Sequence, residues 1–113
     1  MLVYPPGLEF VRALTASLYA GLVPVPVYPP DPLGRDGKVG MLREVARSCQ
    51  AKLALTERSY ERARTVARAR GVLQRSMRWP QGVKWLATDG LRGARSAPLT
   101  TASPQATALI QFT

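Results

Sequence analysis

An α/β fold, a mainly parallel sheet built from successive βα units with flanking helices, is what this chain of 113 residues predicts. Three observations carry the prediction. Residues 2–30 read as strand, turn, helix, glycine stop and strand, a βαβ unit with parallel strands and a right-handed crossover. Two more stretches of helical periodicity, beginning near residues 39 and 59, alternate with short apolar runs at residues 53–55 and 83–87. Glycines and prolines stand where one period gives way to the next.

The elements follow in order. Leu2, Val3 and Tyr4 form a β-prone run that Pro5-Pro6-Gly7 cannot continue. Leu8, Val11, Leu14, Leu18 and Leu22 recur at helical spacing and predict a helix of about four turns with that face inward. Gly21 supplies its C-terminal stop. Val23, Val25, Val27 and Tyr28 return to the strand pattern, which Pro29-Pro30 closes. Pro24 and Pro26 lie two apart, so both missing N–H groups face one side of this strand. Pairing is left to Val25 and Val27 on the other side, which predicts a sheet edge, a bulge or a strand end.

Residues 31–37, DPLGRDG, form a loop. Val39, Leu42, Val45, Ala46 and Cys49 then define the buried stripe of a second helix, with Arg43, Glu44 and Arg47 outside. Cys49 reads as an inert inward thiol, since the chain has no histidine to activate it. Leu53, Ala54 and Leu55 form the third strand. Residues 59–70 predict a third helix with a thin apolar side of Tyr60, Ala63, Val66 and Ala67. Arg58, Arg62, Arg64 and Arg68 stack on its solvated outer face, and Gly71 ends it. Residues 83–87, VKWLA, form a fourth strand stopped by Thr88-Asp89-Gly90. Residues 90–106 are loop, and ATALIQF at residues 106–112 predicts a fifth strand running into Thr113.

Composition narrows the function classes. The length suits one small domain, and 46% hydrophobic residues rule out intrinsic disorder. One cysteine excludes an internal disulfide and makes a reducing cytoplasm the default location. With no histidine as well, a structural zinc set is missing. No run approaches the roughly 18 to 20 apolar residues of a membrane span. The net charge of +9 raises the alternative of a small basic nucleic-acid-binding protein. No three basic residues are consecutive, however, and the aromatics do not interleave with the arginines. A solvated basic surface is the stronger reading.

Particular strings are more informative than composition. Tyr4-Pro5-Pro6-Gly7-Leu8-Glu9-Phe10, Leu18-Tyr19-Ala20-Gly21, Val25-Pro26-Val27-Tyr28-Pro29-Pro30 and the WLATD of residues 85–89 stand in succession. This series resembles the early part of the large domain of adenylate-forming enzymes. Within them it is most similar to the fatty acyl-AMP ligases, on the tyrosine and double proline after the second strand. The resemblance covers most of the chain and is loose over residues 58–78. It implies a partial N-terminal subdomain, residues 1–113, cut from a larger enzyme at both ends.

The resemblance also implies a chemistry. Family members activate a fatty acid with ATP and magnesium to an acyl-adenylate, then pass the acyl group to an acyl carrier protein. An acyl-CoA synthetase or a peptide-synthetase adenylation domain is the nearest alternative. In the family, a strand like Ala108-Leu109-Ile110-Gln111-Phe112-Thr113 leads into a glycine-rich loop that wraps the ATP phosphates. Glycine lets backbone N–H groups approach the phosphates there, and hydroxyls complete the cradle. Thr113 is the implied first residue of that loop and the one cofactor-binding residue assigned. No catalytic or metal-binding residue is assigned, because the carboxylates Glu9, Asp31, Asp36, Glu44, Glu57, Glu61 and Asp89 show no paired arrangement. The chain alone is therefore expected to be inactive, to bind ATP and magnesium poorly, and to self-associate.

Overall fold

The structure is a computed structural model that describes residues 1–69, 78–91 and 98–113. Among them, four strands, β1 (Leu2–Val3), β2 (Pro26–Val27), β3 (Leu53–Thr56) and β4 (Lys84–Ala87), alternate with three helices. The helices are α1 (Leu8–Tyr19), α2 (Val39–Ser48) and α3 (Arg58–Ala69). The sheet order is β2-β1-β3-β4 and every pairing is parallel. This is the α/β architecture predicted from the alternation of periods. The predicted end of the third helix at Arg70 and Gly71 lies outside the described residues.

Successive strand residues point to opposite faces, so Leu2 and Val3 enter different cores. On one face Val3, Val25, Ala54, Trp79 and Met1 pack with Val39, Leu42, Val45 and Ala46 of α2. That stripe is the predicted one, and Val39 and Leu42 are completely buried. On the other face Leu2 and Tyr4 meet Phe10, Ala13 and Leu14 of α1, with Leu55 beside them. This second face is covered only in part, and Leu86 of β4 stays more than a third exposed.

Both α1 and α2 end in the same hydrogen-bonded cap. After α1, Gly21 takes φ 69° while its N–H and that of Leu22 return to the carbonyls of Leu18 and Ser17. After α2, Gln50 takes φ 51° while its N–H and that of Ala51 return to Arg47 and Ala46. This is the Schellman arrangement, which glycine fits best because L side chains are strained at positive φ. Cys49, expected on the inward stripe, caps α2 and is half-buried against the core.

Three expectations need correction. The first is the inward face of α1. Leu8, Val11, Leu18 and Leu22 are largely exposed, and Ala13 and Ser17 are the buried positions. Small residues let the helix sit close to the sheet, and the Ser17 hydroxyl is satisfied by the Ala13 carbonyl at 2.7 Å. The large residues flank that contact line, with Leu14 alone of the predicted five packing inward.

The second is α3, whose inward positions are Arg64 and Ala67, with Tyr60 half-buried. Ala63 and Val66 face solvent. Arg64 is only 6% exposed, because its guanidinium lies over aromatic rings. The third is the fifth strand. Residues 106–113 form no strand and make one backbone bond to the sheet edge, from Ile110 N–H to the Pro24 carbonyl. Val25 uses its carbonyl to accept from Leu2 on the inner side, so Pro24 and Pro26 face outward. With no N–H there to donate, the outer side of β2 cannot carry a ladder, and β2 is the predicted edge.

Candidate functional site

In open parallel sheets, ligands collect beyond the carboxyl ends of the strands, where the chain turns toward opposite faces. Here that point lies between β1 and β3, since the helices that follow them, α1 and α3, pack on opposite faces of the sheet. The turn Pro5-Pro6-Gly7 passes over it into α1, and Gly7 is extended with no atom near the position of a Cβ. The groups beneath are tied together. The Thr56 hydroxyl donates to the Val3 carbonyl at 2.7 Å, joining the ends of β3 and β1. Tyr4 and Thr88 share a hydrogen bond of 2.5 Å between their hydroxyls, and Thr88 N–H reaches the Thr56 carbonyl at 3.0 Å.

The WLATD motif ends here with a structural use. Asp89 accepts from the backbone N–H of Arg58 at 2.7 Å, so its carboxylate covers the first turn of α3. Burial pushes the Tyr4 phenol up from its ordinary value. The Thr88 hydrogen bond opposes this shift, and the charges of Asp89, Glu9 and Glu57 add to it. Of these acids, Glu9 is paired with Arg12 at 2.8 Å. The hydrogen bonds at the strand ends hold the Tyr4, Thr56 and Thr88 hydroxyls in place.

Thr113, the one predicted cofactor contact, is exposed at the end of the segment that crosses Pro24. A single exposed hydroxyl does not make a triphosphate cradle. Among the described residues, no group of three Asp, Glu, Cys or His residues gathers to hold a metal ion. Among the described residues, no helix is long and apolar enough to cross a membrane.

Known proteins match part of the chain. The medium-chain-fatty-acid–[acyl-carrier-protein] ligase JamA of Moorena producens is 42% identical over 57 residues, 50% of this chain and 10% of that protein. Disco-interacting protein 2 homolog B of Mus musculus is 36% identical over 62 residues, 55% of this chain and 4% of that protein. Its human counterpart is 34% identical over the same length. These matches support the AMP-binding family. They favour no single member, and the chain spans a tenth or less of the relatives named here. No family model matches the chain.

Proposed function

We propose that this chain is a section of the large domain of a fatty acyl-AMP ligase, the part that leads up to the ATP phosphate loop. The observation that carries the reading is the 42% identity over 57 residues to a fatty acid–carrier ligase. The parallel sheet and the strings YPPGLEF and VPVYPP agree with it. The whole enzyme would join a fatty acid to AMP and hand the acyl group to a carrier protein. The role of this section is scaffolding: β1, β2 and α1 hold the edge along which residues 106–113 run toward the loop. The exposed apolar residues of α1 are, on this reading, surfaces that the rest of the enzyme covers.

The test is a chimera. The 57 residues of the medium-chain ligase that align with this chain are replaced by the corresponding residues from here, and fatty-acid-dependent pyrophosphate release is measured. Activity within about tenfold of the parent is expected, a barrier change of about 1.4 kcal/mol. The 113-residue chain alone is expected to release no pyrophosphate above a protein-free control. A chimera that melts cooperatively yet has no activity would contradict the assignment.

A further inference from the structure

A concentration of positive charge lies at the opposite end of the sheet from the crevice. Between Glu61 and Asp89 the sequence contains no carboxylate, while residues 62, 64, 68, 70, 75, 78 and 84 are arginine or lysine. Among the described residues, Arg64, Arg68, Arg78, Trp79, Gln81 and Trp85 line a cleft of about 700 Å³. Its wall includes the last turn of α3 and the residues just before β4, which puts it at the amino end of that strand. The volume lies within the roughly 300–1,000 Å³ common to small-molecule sites.

Arg64 anchors the cleft. Its guanidinium carbon lies 4.3 Å from the centroid of the Trp85 ring and 5.6 Å from that of Trp79. The two indoles meet edge to face at 5.7 Å, and Tyr60 packs against both. These rings hold the guanidinium by cation–π attraction. Glu61 reaches it at 3.4 Å, longer than the roughly 2.7–2.9 Å of a strong charged pair. The Nε of Arg64 and the indole Nε1 of Trp79 are buried with no protein partner. Buried donors left unpaired are rare in native folds and call for an explanation. Burial also pulls the Arg64 guanidinium below its ordinary value; Glu61 resists this, and the charge of Arg68 adds to it.

We propose that this cleft binds a small phosphate-bearing anion, with Arg64 and Trp79 at its base and Arg68 and Arg78 at its mouth. Guanidinium forks match phosphate oxygens in geometry and bind them in pairs. Converging guanidiniums repel one another, and a multiply charged anion relieves that repulsion more than a single carboxylate does. A purely structural Arg–Trp stack needs neither Arg68 nor Arg78. The site is independent of the ligase assignment, because it shares no residue with the carboxyl-end crevice or with Thr113.

Both tryptophans of the chain line the cleft, so selectively excited tryptophan fluorescence reports on this place. The full chain is titrated with inorganic pyrophosphate, and separately with phosphatidylcholine vesicles containing phosphatidic acid, at constant ionic strength. A saturable change with either is expected, and the one that responds identifies the source of the phosphate. Arg68→Gln with Arg78→Gln should raise the half-saturating concentration at least about tenfold, since two charge-assisted contacts are lost. Arg12→Gln with Lys38→Gln removes the same charge elsewhere and should change it less than about twofold, because exposed distant charges are screened. Three results would overturn the proposal. They are no saturable response to either phosphate source, a response to poly-glutamate alone, and equal weakening by the two double variants.

Discussion

Gln50 occupies a backbone position that suits glycine, at φ 51° just after α2. The same hydrogen-bonded turn after α1 uses Gly21, at φ 69°. A non-glycine residue in this left-handed region costs about 1–2 kcal/mol, and glycine gives back part of that through its freer unfolded chain. Gln50→Gly should therefore stabilise the fold by about 0.5–1 kcal/mol, read as a rise of roughly 2–6 °C in the thermal midpoint. Two phenols give the fold a sensitivity to alkali. Burial raises Tyr4, and burial followed by the nearby Asp36 charge raises Tyr60, whose hydroxyl donates to the Pro30 carbonyl at 2.6 Å. Unfolded phenols ionise near pH 10, and these two stay protonated beyond it in the folded chain. Above that pH the native state holds more protons than the unfolded one, so stability is full below about pH 10 and falls as pH rises further. Urea midpoints measured from pH 8 to 11 should be flat and then decline, and Tyr60→Phe should flatten part of the decline.

At the scale of elements, the residues that mattered most were those whose pattern matched their burial. The stripe of α2 was legible because Val39, Leu42, Val45 and Ala46 are apolar at helical spacing and nothing competes with them. The prolines of β2 gave its edge position, since a missing N–H is a local property that no tertiary contact restores. In α1 pattern and burial part company, for Ala13 and Ser17 make the close approach and leave the larger Leu8, Val11 and Leu18 at the flanks. In α3 a charged residue is the inward one, because Trp79 and Trp85, distant in sequence, turn Arg64 inward. A sign was available: Tyr60, Arg64 and Ala67 share helical spacing, and both tryptophans follow within the next strand-and-loop segment. The contrast between α1 and α2 can be measured. Leu42→Ala should cost about 2–5 kcal/mol in denaturant unfolding, since Leu42 is wholly buried. Val11→Ser, on the exposed flank of α1, should stay within about 0.5 kcal/mol.

The whole molecule carries two opposing tendencies. Leu8, Val11, Leu18 and Leu22 on or beside α1, together with Leu86 on the half-covered sheet face, leave apolar surface in water. Such surface favours association, and a net charge of +9 opposes it through repulsion. Salt shortens the reach of that repulsion to about 8–10 Å at physiological strength and to about 3 Å at 1 M. Light scattering should therefore rise with added salt, and Leu8→Ser with Val11→Ser should reduce the rise. A salt-indifferent monomer would mean that these faces need no covering. On the proposed reading, residues 106–113, which meet the proline edge through Ile110 N–H and the Pro24 carbonyl, lead toward a phosphate loop opening at Thr113. Sequencing the DNA that follows the Thr113 codon tests this most directly. A serine-, threonine- and glycine-rich stretch of the form Ser-Gly-Ser/Thr-Thr-Gly in one of the forward frames is the predicted result, and its absence from every forward frame would contradict the account.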